Sequence, residues 1–374
     1  MPKERIKTFL KLAAVLTFIY LFLVSIGLMG TAFKGFGKDF AESLIRTTSN
    51  PFIGLFIGIL ATSLVQSSST TTSIVVGMVA SGVITVTNAI PIIMGANIGT
   101  TVTGILVSIG HIGRREEFKR AVSGGTLDGF FKMMCVCIIF PLELATGILA
   151  KLAAYMSNIF VSIDGVTFKS PIKAVTQPLI YFIKNTLTML KLPDKTIYIL
   201  LLVISFIMLF AALYFVVKLM RSMVAQRAEI ILSKVIGKYG LLTIFTSLIF
   251  TAVIQSSSIT IALMIPLIAA GILTTKTMYP LVMGANVGTT ITAILASLAT
   301  GSIPALSVAF VHFLFNIVGL CFIYPIKPLR EIPLILTKAL GDLAFKKRRY
   351  AMLYTLVVFF LIPILVIVIA KMLK

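Results

Sequence analysis

Two short polar motifs in this 374-residue chain group side chains tightly enough to do chemistry, and each occurs twice. Gln66-Ser67-Ser68-Ser69 recurs as Gln255-Ser256-Ser257-Ser258. Gly95-Ala96-Asn97-Ile98-Gly99-Thr100-Thr101 recurs as Gly284-Ala285-Asn286-Val287-Gly288-Thr289-Thr290, at the same distance from its tetrapeptide. Aligned without a gap, Thr62–Ser108 and Thr251–Ser297 share 21 of 47 residues, which marks an internal repeat. Neither motif contains a charged residue. Uncharged hydroxyls and amides can hold an anion: Ser and Thr donate O–H, and backbone N–H groups at a helix N-terminus donate while carrying about half a positive charge. A tetrahedral oxyanion such as phosphate has acceptor oxygens enough to be held from two sides. Its charge would then be compensated by bound cations, and hydroxyls with unwound carbonyls are the hard oxygen ligands sodium prefers. The hydroxyls available are Ser68, Ser69, Thr100, Thr103, Ser257, Ser258, Thr289 and Thr292. The chain shows no nucleophile with a base, no Gly-Lys-Ser/Thr phosphate loop and no metal cluster, so it reads as a non-enzyme without a cofactor.

The elements that must position these residues are membrane helices. The chain is 58% hydrophobic and only 12% charged. Apolar runs of 18 or more residues recur, each long enough for a hydrocarbon core of roughly 30 Å, and no alternating β-barrel segments appear. The net charge of +21 gathers in short loops between apolar runs, which fits the positive-inside rule and argues against a nucleic-acid partner. Cys135, Cys137 and Cys321 are odd in number and imply no disulfide framework. Phe9–Gly30 follows Lys3, Arg5 and Lys7, has Lys11 in its first turn and is too long for a signal-peptide core, so it reads as a retained first helix.

Taken in order, residues 1–156 form a first repeat: a crossing at Phe9–Met29, a polar connector at Thr31–Ser49, a hairpin at 51–82, a broken crossing at 88–109 and a crossing at Gly129–Ala150. Asn50-Pro51 is a helix start, with Asn as cap and Pro in the first turn. Pro51–Val65 spans only about 22 Å at 1.5 Å per residue, short for a crossing. Two such legs around a polar tip describe a re-entrant hairpin, whose irregular backbone needs protein or a watery cavity around it. The Gly and Asn residues of Gly95–Gly99 favour unwinding. Residues 157–195 form a connector with an Asp164-Gly165 turn and a candidate interfacial helix at Pro171–Leu190. Residues 196–326 repeat the pattern: a crossing at Thr196–Val217, a basic connector at Lys218–Lys238, a hairpin at 241–271 with legs Leu241–Ile254 and Ile259–Ala270, a broken crossing at 278–299 and a crossing at Val308–Tyr324. Residues 327–374 hold a basic amphipathic segment and a last helix, Met352–Ala370. The expected fold is thus an all-α integral membrane protein of inverted-topology internal repeats, each with a re-entrant helical hairpin and a broken transmembrane helix.

Three passes per copy, an odd number, turn the second copy upside down. With the N-terminus inside, the basic stretches Gly110–Arg120, Lys218–Lys238 and Lys327–Arg349 fall inside, uncharged Thr300–Ser307 falls outside, and the C-terminus ends outside. Inverted repeats with discontinuous helices are the signature of secondary transporters, with the site at the midplane. A channel with re-entrant filters uses similar backbone and remains the alternative, as does a transporter of another small oxyanion.

The duplicated Gln-Ser-Ser-Ser, each followed by Gly-Ala-Asn-(Ile/Val)-Gly-Thr-Thr, resembles the type II sodium-dependent inorganic phosphate cotransporter family, in a bacterial form. The likeness covers Pro51–Glu143 and Leu241–Pro325. It implies sodium-coupled transport of phosphate by alternating access in a cell (inner) membrane. By motif it places phosphate on Ser67, Ser68, Ser256 and Ser257, and sodium on Gln66, Asn97, Thr100, Gln255, Ser258, Thr289 and Thr292. Ser69, Thr103 and Asn286 join the sodium candidates as further polar members of the motifs. Where family members often read Ala-Thr-Val-His-Asp-Phe-Phe-Asn, this chain reads Gly125-Thr126-Leu127-Asp128-Gly129-Phe130-Phe131-Lys132. Gly129 stands in place of the Asp of electrogenic members, which implies two sodium ions per divalent phosphate and no net charge moved. The second repeat keeps His312-Phe313-Leu314-Phe315-Asn316.

Structural readings stand beside these. Gly95/Gly99 and Gly284/Gly288 are each four apart and fit small-residue helix packing as well as a break. Asp128 and Lys132 share a helix face and fit a salt bridge. Glu143 reads as a structural or interfacial residue, and His312 as a helix-packing one.

Overall fold

A computed structural model describes residues 2–162, 171–235 and 240–372, and all regular structure among them is helical. The Asp164-Gly165 turn and the end of the Lys218–Lys238 connector lie outside the described residues. The first repeat contains α1 (Pro2–Gly35), α2 (Lys38–Thr48), α3 (Pro51–Val65), α4 (Ser68–Ser81), α5 (Val86–Gly99), α6 (Thr101–Ile109), α7 (Arg115–Thr146) and α8 (Ile148–Ser162). After α9 (Pro171–Thr188), the second contains α10 (Asp194–Val235), α11 (Gly240–Ile254), α12 (Ser257–Ala262), α13 (Ile265–Ala269), α14 (Thr275–Gly288), α15 (Thr290–Thr300) and α16 (Ile303–Val318). The chain continues through α17 (Lys327–Lys346), α18 (Arg349–Leu356) and α19 (Ile362–Met372).

Among the described residues seven spans are long and apolar enough to cross a bilayer: Ile6–Gly35, Val86–Ile109, Arg115–Thr146, Asp194–Met223, Thr275–Thr300, Ile303–Ile323 and Arg349–Met372. They overlap the seven crossings read from the sequence. Large apolar side chains such as Phe9, Phe182, Leu241 and Phe245 lie exposed, as a lipid-facing surface requires. Asn50 caps α3 by accepting from the backbone N–H of Phe52 at 2.9 Å, with Pro51 in the first turn.

Packing is reciprocal between the repeats. Within each, the first hairpin leg lies along the helix after the hairpin: α3 on α5, and α11 on α14. Between them, α4 packs on α15 and α16, while α12 and α13 pack on α6 and α7. The first helices of the two repeats, α1 and α10, run against each other.

Four readings of the sequence need correction. The Gly-Ala-Asn stretches are not unwound: α5 runs through Gly95–Gly99 and α14 through Gly284–Gly288. The interruption is one residue, Thr100 or Thr289, with nearly helical dihedrals. The glycines serve close approach. A Cβ on Gly95 would lie 1.9 Å from the Leu55 carbonyl oxygen, and one on Gly284 would lie 2.0 Å from that of Ile244. Helix contact fixes this segment against its local tendency to unwind. Second, the crossing placed at Gly129–Ala150 is α7, which begins at Arg115 and stops at Gly147 with φ 63°. Its polar first half is covered by α6 and α17: Lys119 Nζ donates to Asp342 at 2.7 Å, and Thr126 Oγ1 lies 2.5 Å from Thr337 Oγ1. That hydrogen bond holds the Asp342 carboxyl below its ordinary range. Third, the leg Ile259–Ala270 is split at Leu263-Met264, because Pro266 has no N–H to continue the ladder and its ring crowds the preceding turn. Fourth, the connector Thr31–Ser49 is mostly helix, ending α1 and forming α2. Glu143 takes the structural role: Oε2 accepts from the Leu149 N–H at 2.6 Å, capping the start of α8.

Gly95→Ala is expected to lower stability by at least about 2 kcal/mol, since backbone cannot yield to the new methyl. Gly30→Ala, with nothing within 4 Å of its Cβ, is expected to raise it by roughly 0.5–1 kcal/mol. Thermal unfolding in detergent distinguishes the two.

Candidate functional site

The two Gln-Ser-Ser-Ser tips share one backbone geometry. α3 ends on Gln66 with φ 59°, and α11 ends on Gln255 with φ 61°. Lys191 is the one other non-glycine with positive φ among the described residues. The left-handed region costs a residue with a side chain about 1–2 kcal/mol, so two matched occurrences mark a geometry the fold imposes. The next residue returns to extended backbone, at φ −150° and ψ 106° for Ser67 and at −149° and 106° for Ser256. Each then caps the second leg. Ser67 Oγ accepts from the Thr70 N–H at 3.2 Å, and Ser256 Oγ accepts from that of Ile259 at 3.4 Å. A threonine pair ties the legs of each hairpin, Thr62 with Thr71 at 2.9 Å and Thr251 with Thr260 at 2.8 Å. Sequence reasoning missed these pairs, although all four positions are identities of the repeat alignment.

The tips meet through Ser69. Its hydroxyl donates to the Gln255 carbonyl at 3.1 Å and lies 3.2 Å from Thr289 Oγ1. Next to this link, Ser68 and Ser257 are buried, 4% and 2% exposed, and their hydroxyls bond to no described residue. Ser258, half-buried, and the buried side-chain amide of Gln255 are also unengaged, and Thr292 Oγ1 is buried without a partner. Gln66 differs from Gln255: its Oε1 accepts from Thr103 Oγ1 at 2.9 Å, and its Nε2 donates to the Ser63 carbonyl.

A second polar cluster lies on the interrupted helices. Asn97 Oδ1 is 3.3 Å from His312 Nε2 and 3.5 Å from Asn316 Nδ2. Across the repeat, Asn286 Nδ2 donates to Asp128 Oδ1 at 2.8 Å. Lys132 Nζ donates to Asp128 Oδ2 at 2.7 Å and to Thr100 Oγ1 at 2.9 Å. The candidate residues therefore fall into two places. Gln66, Ser67, Ser68, Ser69, Thr103, Gln255, Ser256, Ser257, Ser258 and Thr289 gather at the tips or one bond from them. Asn97, Thr100 and Asn286 face α7 and α16, and Thr292 is joined to the tip residue Thr289 through its backbone N–H, which donates to the Thr289 carbonyl at 3.3 Å. The reach of Lys132 to Thr100 was not visible in a spacing that showed only the local pair with Asp128. Among the described residues no three His, Cys, Asp or Glu side chains cluster as metal ligands. A separate cavity of about 550 Å³, lined by Lys119, Arg120, Lys276, Glu331 and Lys338 among others, includes none of the tip residues.

Known proteins match this chain along nearly its whole length. The family described as Na+/Pi-cotransporter matches residues 21–218 and 207–339. Sodium-dependent phosphate transport protein 2B of Pongo abelii is 32% identical, over 95% of this chain and 65% of the relative. Protein 2A of Ovis aries is 34% identical and that of Rattus norvegicus 33%, each over 96% of this chain and 67% of the relative. The chain thus spans about two thirds of the length of these relatives. No solved structure matches.

Because the Gln255 side chain bonds to nothing and its backbone is left-handed, Gln255→Gly is expected to raise stability by about 1 kcal/mol. Gln66→Gly, which also loses two hydrogen bonds, is expected to gain less or nothing. Melting temperatures of the purified variants test this contrast.

Proposed function

This chain belongs to the Na+/Pi-cotransporter family, and on that premise we propose that it is a sodium-coupled secondary transporter of inorganic phosphate. The observation that carries the site is the pair of matched tips, linked through Ser69, with the hydroxyls of Ser68 and Ser257 left without a partner beside the link. Hydroxyls that the fold leaves without partners are free to donate, and a phosphate between the tips takes those hydrogen bonds from both sides. Ser67 and Ser256 complete the set. Their oxygens accept from backbone N–H groups, which leaves each O–H to donate to the anion.

Among the described residues no fixed cation stands at the tips, so sodium compensates the dianion. Ser258 and Gln255 offer unengaged oxygens, and Thr292 offers a second hydroxyl without a partner. Gln66, Ser69, Thr103 and Thr289 are ligands whose present hydrogen bonds would exchange for an ion. Asn97, Thr100 and Asn286 bond to α7 and α16 instead of the tips.

The reciprocal packing of α4 on α15 and α16, and of α12 and α13 on α6 and α7, supports reading the hairpins as re-entrant elements of inverted repeats. Each hairpin's second leg leans on the other repeat, so a rocking of one repeat against the other opens the tips to one side at a time. That motion is alternating access around a fixed midplane site.

Reconstituted in proteoliposomes, the protein is expected to accumulate radiolabelled phosphate under an inward sodium gradient, and not under potassium or proton gradients. Accumulation independent of sodium would reject the proposal. Ser68→Ala and Ser257→Ala are each expected to cut uptake roughly 10–100-fold with melting temperature unchanged, since those hydroxyls bond only the substrate. Ser67→Ala and Ser256→Ala are expected to lose uptake and about 1 kcal/mol of stability together, because they also cap.

A further inference from the structure

Lys132 is 1% exposed, inside the long helix α7, in a chain whose other basic residues gather outside its apolar runs. Burying a charge pair at this depth costs several kcal/mol per ion before their attraction is counted, so the pair calls for a reason beyond helix packing. The internal repeat supplies a control. The counterparts of Asp128 and Lys132 on α16 are His312 and Asn316, again four residues apart. There the neutral pair faces Asn97, as Asp128 faces Asn286. The layer is therefore held together in one repeat without any charge, and the ion pair is an addition confined to the other.

The surroundings of the added charge are those of a small monovalent cation. Lys132 Nζ sits 2.7 Å from Asp128 Oδ2 and 2.9 Å from Thr100 Oγ1, whose own proton goes to the Asn97 carbonyl at 2.7 Å. Thr100 thus presents a lone pair to the ammonium. Asn286 holds the other carboxylate oxygen through Nδ2 and keeps a buried Oδ1 with no partner. A carboxylate and a hydroxyl hold the one positive charge, and the amide that holds the carboxylate has an oxygen to spare, an oxygen set that a sodium ion would also satisfy.

We infer that the Lys132 ammonium is a tethered cation occupying a cation subsite built by Asp128, Thr100 and Asn286. This position then neither loads nor releases a free ion, and sodium coupling is confined to the tips. The inference rests on the proposed transport function for its meaning in the cycle, but the occupancy of the subsite is tested without transport.

The test compares wild type, Lys132→Asn and Asp128→Asn/Lys132→Asn, purified in detergent without phosphate, with sodium chloride or choline chloride. Asparagine is the residue the other repeat carries at this position. Lys132→Asn is expected to gain about 2–4 °C more in melting temperature from sodium than wild type does, as a free ion fills the vacated position. The double variant, without the carboxylate, is expected to show no such added gain. A sodium gain in Lys132→Asn no larger than in wild type overturns the inference, and so does a Lys132→Asn protein that is unfolded in both salts. In proteoliposomes, the ratio of labelled sodium to labelled phosphate taken up is expected to rise by about one in Lys132→Asn, and an unchanged ratio also overturns it. Failure of wild type to move phosphate with sodium would instead reject the transport reading and leave the binding comparison intact.

Discussion

A backbone that leaves helix among apolar neighbours must find partners for its polar groups, and the two Gln-Ser-Ser-Ser turns answer that constraint with their own residues. The chain must leave helix at Gln66 and Gln255, which frees backbone N–H and C=O groups. Ser67 and Ser256 take up N–H groups of the second legs, Thr71 and Thr260 join the legs, and Ser69 takes up the Gln255 carbonyl. Among the hydroxyls this leaves without a partner, which include those of Thr72, Ser73 and Thr292, Ser68 and Ser257 are the pair at matched positions of the two tips. A site for an uncharged set of donors is what is left when the scaffold has satisfied itself.

Close helix packing makes the accounting work. Gly58 and Gly95 let α3 and α5 approach backbone to backbone, and Gly284 does so for α11 and α14. Each hairpin is thereby fixed to a long interrupted helix, and the interruption at Thr100 or Thr289 falls beside a tip or the Asp128–Lys132 pair. Charge then divides between two places. Among the described residues the tips carry none, while α7 carries its own cation and carboxylate in the apolar interior.

Much of this was legible in the sequence because membrane periodicity and duplication are strong, local signals. The seven spans follow from apolar runs, the tips from a polar tetrapeptide between short legs, and the α3 start from Asn50-Pro51. What failed were inferences from local propensity where a neighbour decides. Gly95–Gly99 reads as unwound by composition, yet the contact with α3 keeps it helical. Lys132 reads as half of a local salt bridge, and its bond to Thr100, 32 residues away, depends on how α6 lies on α7. The start of α7 at Arg115 escaped notice because its first half is polar, and only α6, α13 and α17 packed over it make that half an interior surface. Pro266, by contrast, was a readable signal for the split between α12 and α13.

The central claim is that the anion lies between the two tips, held by hydroxyls and compensated by sodium. A structure determined in sodium phosphate tests it most directly. The account predicts phosphate density contacting the Ser68 and Ser257 hydroxyls, absent when choline replaces sodium. Phosphate bound elsewhere, for example among Lys119, Arg120 and Lys338 with the tips unoccupied, would contradict it.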